Sequence, residues 1–396
     1  MRGAALPASA PRIVPGTYTD TIKRGEKKHY SLTLDDRSSA YLSAVAAPAP
    51  GTRVTDYADA LKIDLRDGRG RTCGRTGRAS YRGHGMAYPV ADYAARRIDD
   101  RRTVCQGAGS YLLVVEREGK ETRRVVPGNG PEESGVAADA TAWPIELAFL
   151  LEPGLKGAAP ERPSPGAWST QPPAAPTGTP AQASGGTGFN DAGAVGGGVW
   201  RDEIVPGRTR FYRVPVDWGQ RLNVSAELPA AAGGRKKFLT QALGLSVFNP
   251  ARGAVGEADF VPYDGRAASA RAYTAPVEYG NRFHAVGKVA ATSLAGWYYL
   301  GVSLHPEAAR YFPDGVGLTL RVGLEGRPEP APAYSRKTDD FSVGPRDRAL
   351  AGGAPTTSGG SAPNRPLRVL GWSGIGVGVL LLVGLGSWTV VARRRR

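Results

Sequence analysis

Few residues in this chain have the types and spacing that chemistry requires. His29 is followed by Tyr, His84 by Gly, His284 by Ala and His305 by Pro, so no His-Glu pair exists to build a zincin helix. The stretch Gly371-Trp372-Ser373-Gly374-Ile375 lacks the last glycine of a nucleophile elbow. No Walker loop or dinucleotide fingerprint stands between a strand and a helix. A dispersed Ser-His-Asp triad is spatial rather than sequential and stays open, but each histidine reads more simply as a loop or surface residue. Asp20 and Asp202 recur at matching places, which invites a calcium reading. Calcium takes six to eight oxygens, and only one or two acids lie near each position, so turn capping is the simpler role for them and for Asp35 and Asp217. The chain reads as non-enzymatic, with no metal and no cofactor.

Cys73 and Cys105 stand 32 residues apart, too far for a CxxC redox pair, and no further cysteine exists to complete a zinc site. In an oxidising compartment they close one loop, worth roughly 3–4 kcal/mol by chain entropy; two buried thiols are the other state. Around them the charge is lopsided. Between Arg66 and Arg124 there are 14 Lys/Arg against 7 acids. Arg71, Arg75, Arg78, Arg82, Arg96, Arg97, Arg101 and Arg102 form an arginine-rich stretch that would hold anionic envelope polymer or lipid headgroups; a merely solvated basic loop is the plainer alternative. The formal charge of the whole chain, +15, points the same way.

The compartment is written at the C-terminus. Residues 369–392 carry no charge, and they are followed by Arg393, Arg394, Arg395 and Arg396. About 20 apolar residues at ~1.5 Å rise cross a bilayer core, so a transmembrane helix is expected over 367–392. Trp372 and Trp388 sit near its ends, at headgroup level. The arginines are expected to set residues 393–396 in the cytoplasm and the bulk of the chain outside it, a single-pass cell-membrane topology that points to membrane lipid as a partner, through the C-terminal helix, and away from nucleic acid. An outward N-terminus requires export. Residues 1–12 have the small Ala8-Ser9-Ala10 cleavage pattern but no apolar h-region, and are expected to be the remnant of a signal peptide or leader whose frame begins upstream.

With 396 residues, two or three domains of about 150 fit. The high content of glycine (54) and proline (32) disfavours long helices. Residues 156–198 and 327–366 are rich in Pro, Gly, Ala, Ser and Thr, and read as a linker and a flexible stalk. The parts between them are duplicated at a constant offset of 182: Tyr18 with Trp200, Asp20 with Asp202, Ile22 with Ile204, Gly25 with Gly207, Tyr30 with Tyr212 and Leu32 with Val214. Tyr30, Leu32 and Leu34, like Tyr212, Val214 and Val216, alternate with their neighbours as a strand with one buried face does. Further strands are expected at 60–67, 109–116 and 144–151, and at 221–228, 242–248, 296–303 and 317–322, with a short helix at 89–97. Pro215 places its strand at an edge or a bulge.

The shared features are an aromatic-x-Asp start (Tyr18-Thr19-Asp20; Trp200-Arg201-Asp202), a Gly turn (Gly25; Gly207), a Tyr-centred strand, and a Gly-x-Tyr-x-Leu strand (109–113; 296–300). These resemble the bacterial pre-peptidase C-terminal domain. The resemblance implies a jelly-roll-like β-sandwich that accompanies exported enzymes without being catalytic. The layout is also similar to surface proteins of high-GC Gram-positive bacteria. The expected fold is mainly β: two antiparallel jelly-roll-like β-sandwiches, 13–155 and 199–326, joined by a Pro/Gly linker, with one C-terminal transmembrane helix. The expected role is a binding or spacer protein of the cell surface that contacts anionic envelope polymer or a surface partner; the alternative is an accessory region or partner of an exported peptidase or other hydrolase.

This orientation predicts that protease added to intact cells degrades most of the chain, while inside-out vesicles protect it. Immunoblotting of both preparations checks this, and the opposite pattern contradicts it.

Overall fold

The computed structural model describes residues 1–99, 102–119, 141–158, 160, 174–232 and 237–353. The expected span, with Trp372, Trp388 and Arg393 to Arg396, lies outside them, as does Arg101. Among the described residues no helix is long and apolar enough to cross a membrane.

The first repeat contributes β1 (Gly16–Ile22), β2 (Lys27–Leu34), β3 (Ser39–Ala46), β4 (Ala60–Asp67), β5 (Gly77–Ser80), β6 (Val90–Arg96), β7 (Gly109–Glu118) and β8 (Trp143–Glu152). They form two antiparallel sheets, β1-β8-β3-β6 and β2-β7-β4-β5. One core lies between them, from Tyr30, Leu32, Leu42, Ile63, Leu113, Trp143 and Phe149. The second repeat begins with two short strands, β9 (Ala181–Gln182) and β10 (Gly193–Ala194). It continues with β11 (Gly198–Ile204), β12 (Thr209–Val216), β13 (Arg221–Leu228), β14 (Leu239–Phe248), β15 (Ala254–Tyr263), β16 (Ala268–Tyr273), β17 (Gly296–Leu304) and β18 (Val316–Glu325). Its sheets are β16-β13-β18-β11-β9 and β10-β12-β17-β14-β15. The order of the eight shared strands is the same in both repeats, so the duplication read at Tyr18 and Trp200 is a duplication of topology. Helix is minor: one turn, α1 (Gly287–Ala290), and α2 (Pro345–Ala351). Gly25 and Gly207 sit at φ +72° and +78°, where a side chain would be strained, and each opens the turn into β2 or β12. Beyond the two-residue reach of β10, β12 is an edge, and Pro215 lies there.

The expected helix at 89–97 is instead strand β6. Its alanines favour helix in isolation, but all seven residues are buried and pair with β3, and tertiary burial overrides propensity. All eight residues of β3 are buried too. Ordinary alternation buries only one face; here the other face is covered by the second sandwich. Tyr41 of β3, Tyr93 and Ala95 of β6 and Leu150 of β8 pack with Ala251, Leu294 and Phe341. Val45 and Ala91 pack with Phe189, Phe211 and Phe248. The sheet β1-β8-β3-β6 therefore stacks on the β12-β17-β14 sheet, giving four β layers with two further apolar clusters at the seam.

Three segments differ from expectation. Residues 1–12, expected as a leader remnant, are built into the first sandwich: Ala4 bridges His29, Arg12 bridges Ser31, and Ile13 is buried in the core. The described part of the linker is not free either. Residues 183–196 repeat that arm at the same offset of 182, with Gly186 bridging Phe211, Ala194 paired with Arg213, and Val195 buried. The described part of the stalk, 327–353, packs on both sandwiches through Tyr334, Phe341 and α2. Pro and Gly here shape a strap rather than a spacer.

The recurring aspartates pin these arms. Asp20 Oδ2 accepts from the Gly3 N–H at 2.6 Å and the Tyr30 hydroxyl at 2.7 Å; Asp202 Oδ2 accepts from the Gly185 N–H and the Tyr212 hydroxyl, both at 2.7 Å. A Cβ at Gly3 would come within 2.6 Å of the Tyr30 ring, and one at Gly185 within 2.8 Å of Tyr212, so each clasp requires glycine. These carboxylates do not cap turns, as expected, but hold arms. Burial opposes the charged form of Asp20, yet bonds from Gly3, Tyr30, Thr21 and Lys28 outweigh it and hold the carboxyl below its ordinary 3.8. A lowered folded-state value adds stability above pH 3.8 that is lost as pH falls through it. Asp20→Asn is therefore expected to lower the melting temperature at pH 7, with variant and wild type converging below pH 3.8. Thermal circular dichroism from pH 2 to 7 checks this; a gap independent of pH contradicts it.

Candidate functional site

Cys73 and Cys105 form a disulfide with Cα atoms 5.6 Å apart, joining the loop after β4 to the loop before β7. Among the described residues most of the arginines around it have partners within the fold. Arg75 bonds Asp92 at 2.8 Å, Arg71 bonds Asp67 at 2.8 Å, Arg78 bonds Glu118 at 2.8 Å, and Arg102 lies 3.8 Å from Asp99. Arg82 lies over the Tyr57 ring. Arg96 is buried at 1% exposure and donates to the carbonyls of Cys105, Ser38 and Gln106, so it knits the loop to β3. Arg97 reaches the second sandwich, donating to the Arg282 carbonyl at 2.8 Å. Arg71, Arg75, Arg78, Arg96 and Arg97 thus serve turns, strand edges and the seam.

The chemically densest place is that seam. Arg282, on the turn Tyr279–Phe283, makes a two-pronged bond to Glu152 at the end of β8, at 2.8 and 2.7 Å. Both side chains are out of water, 0% and 1% exposed. Glu152 also accepts from the Tyr41 hydroxyl at 2.8 Å and the Tyr334 hydroxyl at 2.7 Å. Arg282 donates further to the carbonyls of Tyr279 and Ser293 and stacks on the Tyr279 ring. Burial alone would weaken the charged guanidinium; Glu152 more than offsets this and holds its pKa above the ordinary value. Burial pushes the Tyr41 hydroxyl well above its ordinary 10.0, so it remains a donor. A second cross-seam pair joins Arg252 to Glu146, with Asn190 bonded to both. Sequence reasoning missed this cluster: its members lie on four separate segments, and nothing local pairs Glu152 with Arg282.

The histidines are scattered in role. His29 bonds the arm carbonyl of Ala4, His284 and His305 accept from backbone N–H groups two residues on, and His84 lies 3.5 Å from Thr240. Among the described residues no three His, Cys, Asp or Glu side chains gather as metal ligands. Asp35 does cap its turn, accepting from Arg37 and Ser38, whereas its counterpart Asp217 binds Arg348 of α2 at 2.5 Å.

Two open clefts lie on the second sandwich. One of about 580 Å³ is bounded by Trp200, Gln220, Asp217 and Arg348 beneath α2. The other, about 430 Å³, lies on the outer face of β11-β18-β13-β16, lined by Arg201, Thr319, Glu227 and Ser269.

No protein-family model matches the chain, and no curated protein does. Among solved structures it is similar to the pre-peptidase C-terminal domain of a collagenase from Bacillus anthracis, at 12% identity and a TM-score of 0.19, over 36% of this chain and 95% of that one. It is also similar to the N-terminal CBM22-1–CBM22-2 tandem domain of Xyn10C from Paenibacillus barcinonensis, at 14% identity and a TM-score of 0.20, over 78% and 86%. A third is the ANXUR2 extracellular domain from Arabidopsis thaliana, at 8% and 0.19, over 81% and 86%. Overlaps this small carry no argument; the β-sandwich architecture rests on the strand order itself.

Removing one member of the seam pair leaves a buried charge, which costs about 3–5 kcal/mol. Arg282→Met is expected to lower stability by that order, and the double change Arg282→Met with Glu152→Leu to recover part of it. Chemical denaturation of the three proteins checks this; a double variant worse than the sum of the single changes contradicts it.

Proposed function

We propose that this chain is a membrane-anchored, extracytoplasmic, non-catalytic protein that displays a rigid pair of β-sandwiches and binds anionic polymer of the cell envelope. The observation that carries this is the seam. Two sandwiches that merely tether an enzyme need no contact with each other, whereas these share an apolar core, a buried ion pair and a strap, and so hold a fixed binding geometry. The strap supports the same reading: residues 327–353 pack across both sandwiches before the chain runs on toward the expected span. The basic balance of 51 Lys+Arg against 36 Asp+Glu supports an acidic partner. The pre-peptidase C-terminal likeness belongs to this reading as well, through the aromatic-x-Asp start and the Tyr-centred strand of both repeats, as a non-catalytic module of exported proteins.

The test is retention of the detergent-solubilised full chain on isolated native cell envelopes. Binding that weakens steeply between low and high salt is the expected result, since exposed charges are screened within about 8–10 Å at physiological salt. No retention, or retention indifferent to salt, contradicts the proposal.

A further inference from the structure

The seam is closed by different chemistry at its two ends. Along β8, Ile145 pairs with Ala46 and, seven residues on, Glu152 pairs with Ser39, so the two places lie about 24 Å apart on one strand. The Glu152 end holds the buried ion pair. At the other end β6 begins at Val90, opposite Ala46, and the loop before it, residues 81–88, reaches the second sandwich. Gly83 lies against the Phe260 ring, where an added Cβ would come within 3.1 Å, and the Tyr88 ring packs on Phe260 at 5.6 Å. His84 Nδ1 lies 3.5 Å from the Thr240 hydroxyl. The His84 backbone carbonyl meets the ring of His305, which directly follows β17.

Both histidines are held in place. His84 takes φ +49° between Gly83 and Gly85, a conformation uncommon for a residue with a side chain. Asp56 holds it there, its two carboxylate oxygens accepting from the N–H groups of His84 at 2.8 Å and Gly85 at 3.1 Å. His305 caps the turn Pro306–Arg310, its Nδ1 accepting from the Glu307 N–H at 3.2 Å. An imidazole that accepts at Nδ1 carries its one proton on Nε2, the nitrogen left to donate to the His84 carbonyl. A second proton would set donor against donor at the Glu307 N–H. The surroundings favour the neutral ring: the loss of water at this half-buried site outweighs the Glu307 and Asp56 carboxylates and the bond to the His84 carbonyl. Any charge on His84 acts in the same direction as burial, and the His305 pKa lies below the ordinary 6.5. With that sign, the contact gives its full stability above pH 6.5 and loses it as the pH falls below.

We propose that His84 and His305 form an acid-sensitive latch on one end of the seam: a proton taken up at Nδ1 of His305 releases the loop 81–88 from the second sandwich, while the Glu152–Arg282 pair keeps the other end closed. The charged and titratable groups facing the His305 ring are His84 and Asp56 from the first sandwich and Glu307 from its own turn. Release separates the Tyr88 ring from Phe260 and frees His84 from its strained backbone conformation. The latch concerns the seam alone and does not depend on what the protein binds.

Hydrogen exchange of the full chain in detergent micelles tests this, read by mass spectrometry at pH 7.5 and 5.0 and corrected for the intrinsic pH dependence of exchange. At pH 5.0 wild type is expected to exchange about fivefold faster in residues 81–88 and 305–310, the weight of one lost hydrogen bond, with 148–152 and 279–283 unchanged. His305→Asn keeps an acceptor for the Glu307 N–H but cannot titrate, so its exchange should be equal at the two pH values. His305→Lys, charged at both, should show the fast exchange already at pH 7.5. His284→Asn serves as the control, since that exposed histidine also accepts a backbone N–H at Nδ1 but lies away from the latch, and should respond as wild type does. No response in wild type, a response that persists in His305→Asn, or one spread equally over 148–152 and 279–283 overturns the latch.

Discussion

A carboxylate and a guanidinium removed entirely from water can persist only where every oxygen and nitrogen finds a partner. Glu152 and Arg282 meet that demand by drawing on both sandwiches and the strap at once. Glu152 comes from the first sandwich, Arg282 from the second, Tyr41 from the outward face of β3, and Tyr334 from the C-terminal strap. Such a pair offers little net stability against a well-packed apolar substitute. Its effect is on specificity: any other arrangement of the two sandwiches leaves a charge buried without its partner. The fixed orientation of the tandem, and the closure of the strap over it, follow from that constraint.

The duplicated fold explains how the two copies came to do different things. Both keep the arm, the Gly–Asp–Tyr clasp and the strand order, which are requirements of each sandwich taken alone. The outer faces have diverged. In the first copy Tyr41, Val45, Ala91 and Tyr93 make an apolar face that must be covered, and the second copy covers it with Phe211, Phe248 and Ala251. In the second copy the equivalent face carries Arg201, Glu227, Arg321 and Arg271, and Arg321 donates to the Pro176 carbonyl of the segment that crosses it. Asp35 and Asp217 show the same divergence on a smaller scale, one closing its turn and the other anchoring α2.

Much of the fold was legible in the chain. The alternation at Tyr30 and Tyr212 places strands β2 and β12, and the constant offset reveals the repeat. That offset extends back to Gly3 and Gly185 and to Ile13 and Val195, but short, small side chains carry little signal for the arm. The seam left a fainter trace. In β3 both alternating faces are apolar or small, Ala40, Leu42 and Ala44 on one side and Tyr41 and Val45 on the other, which a strand with a solvated face does not require. The Glu152–Arg282 pair left none, since 130 residues separate its members. Within the arginine-rich stretch, composition counts charges without their partners: Arg75, Arg96 and Arg97 look like surface from the sequence and are bonded within the fold.

If the seam joins the sandwiches as described, they must unfold together. Differential scanning calorimetry of the full chain in detergent tests this most directly. The account predicts one endotherm for both sandwiches, with calorimetric and van't Hoff enthalpies in agreement. Two resolved endotherms, each carrying the enthalpy of a single sandwich, would contradict it.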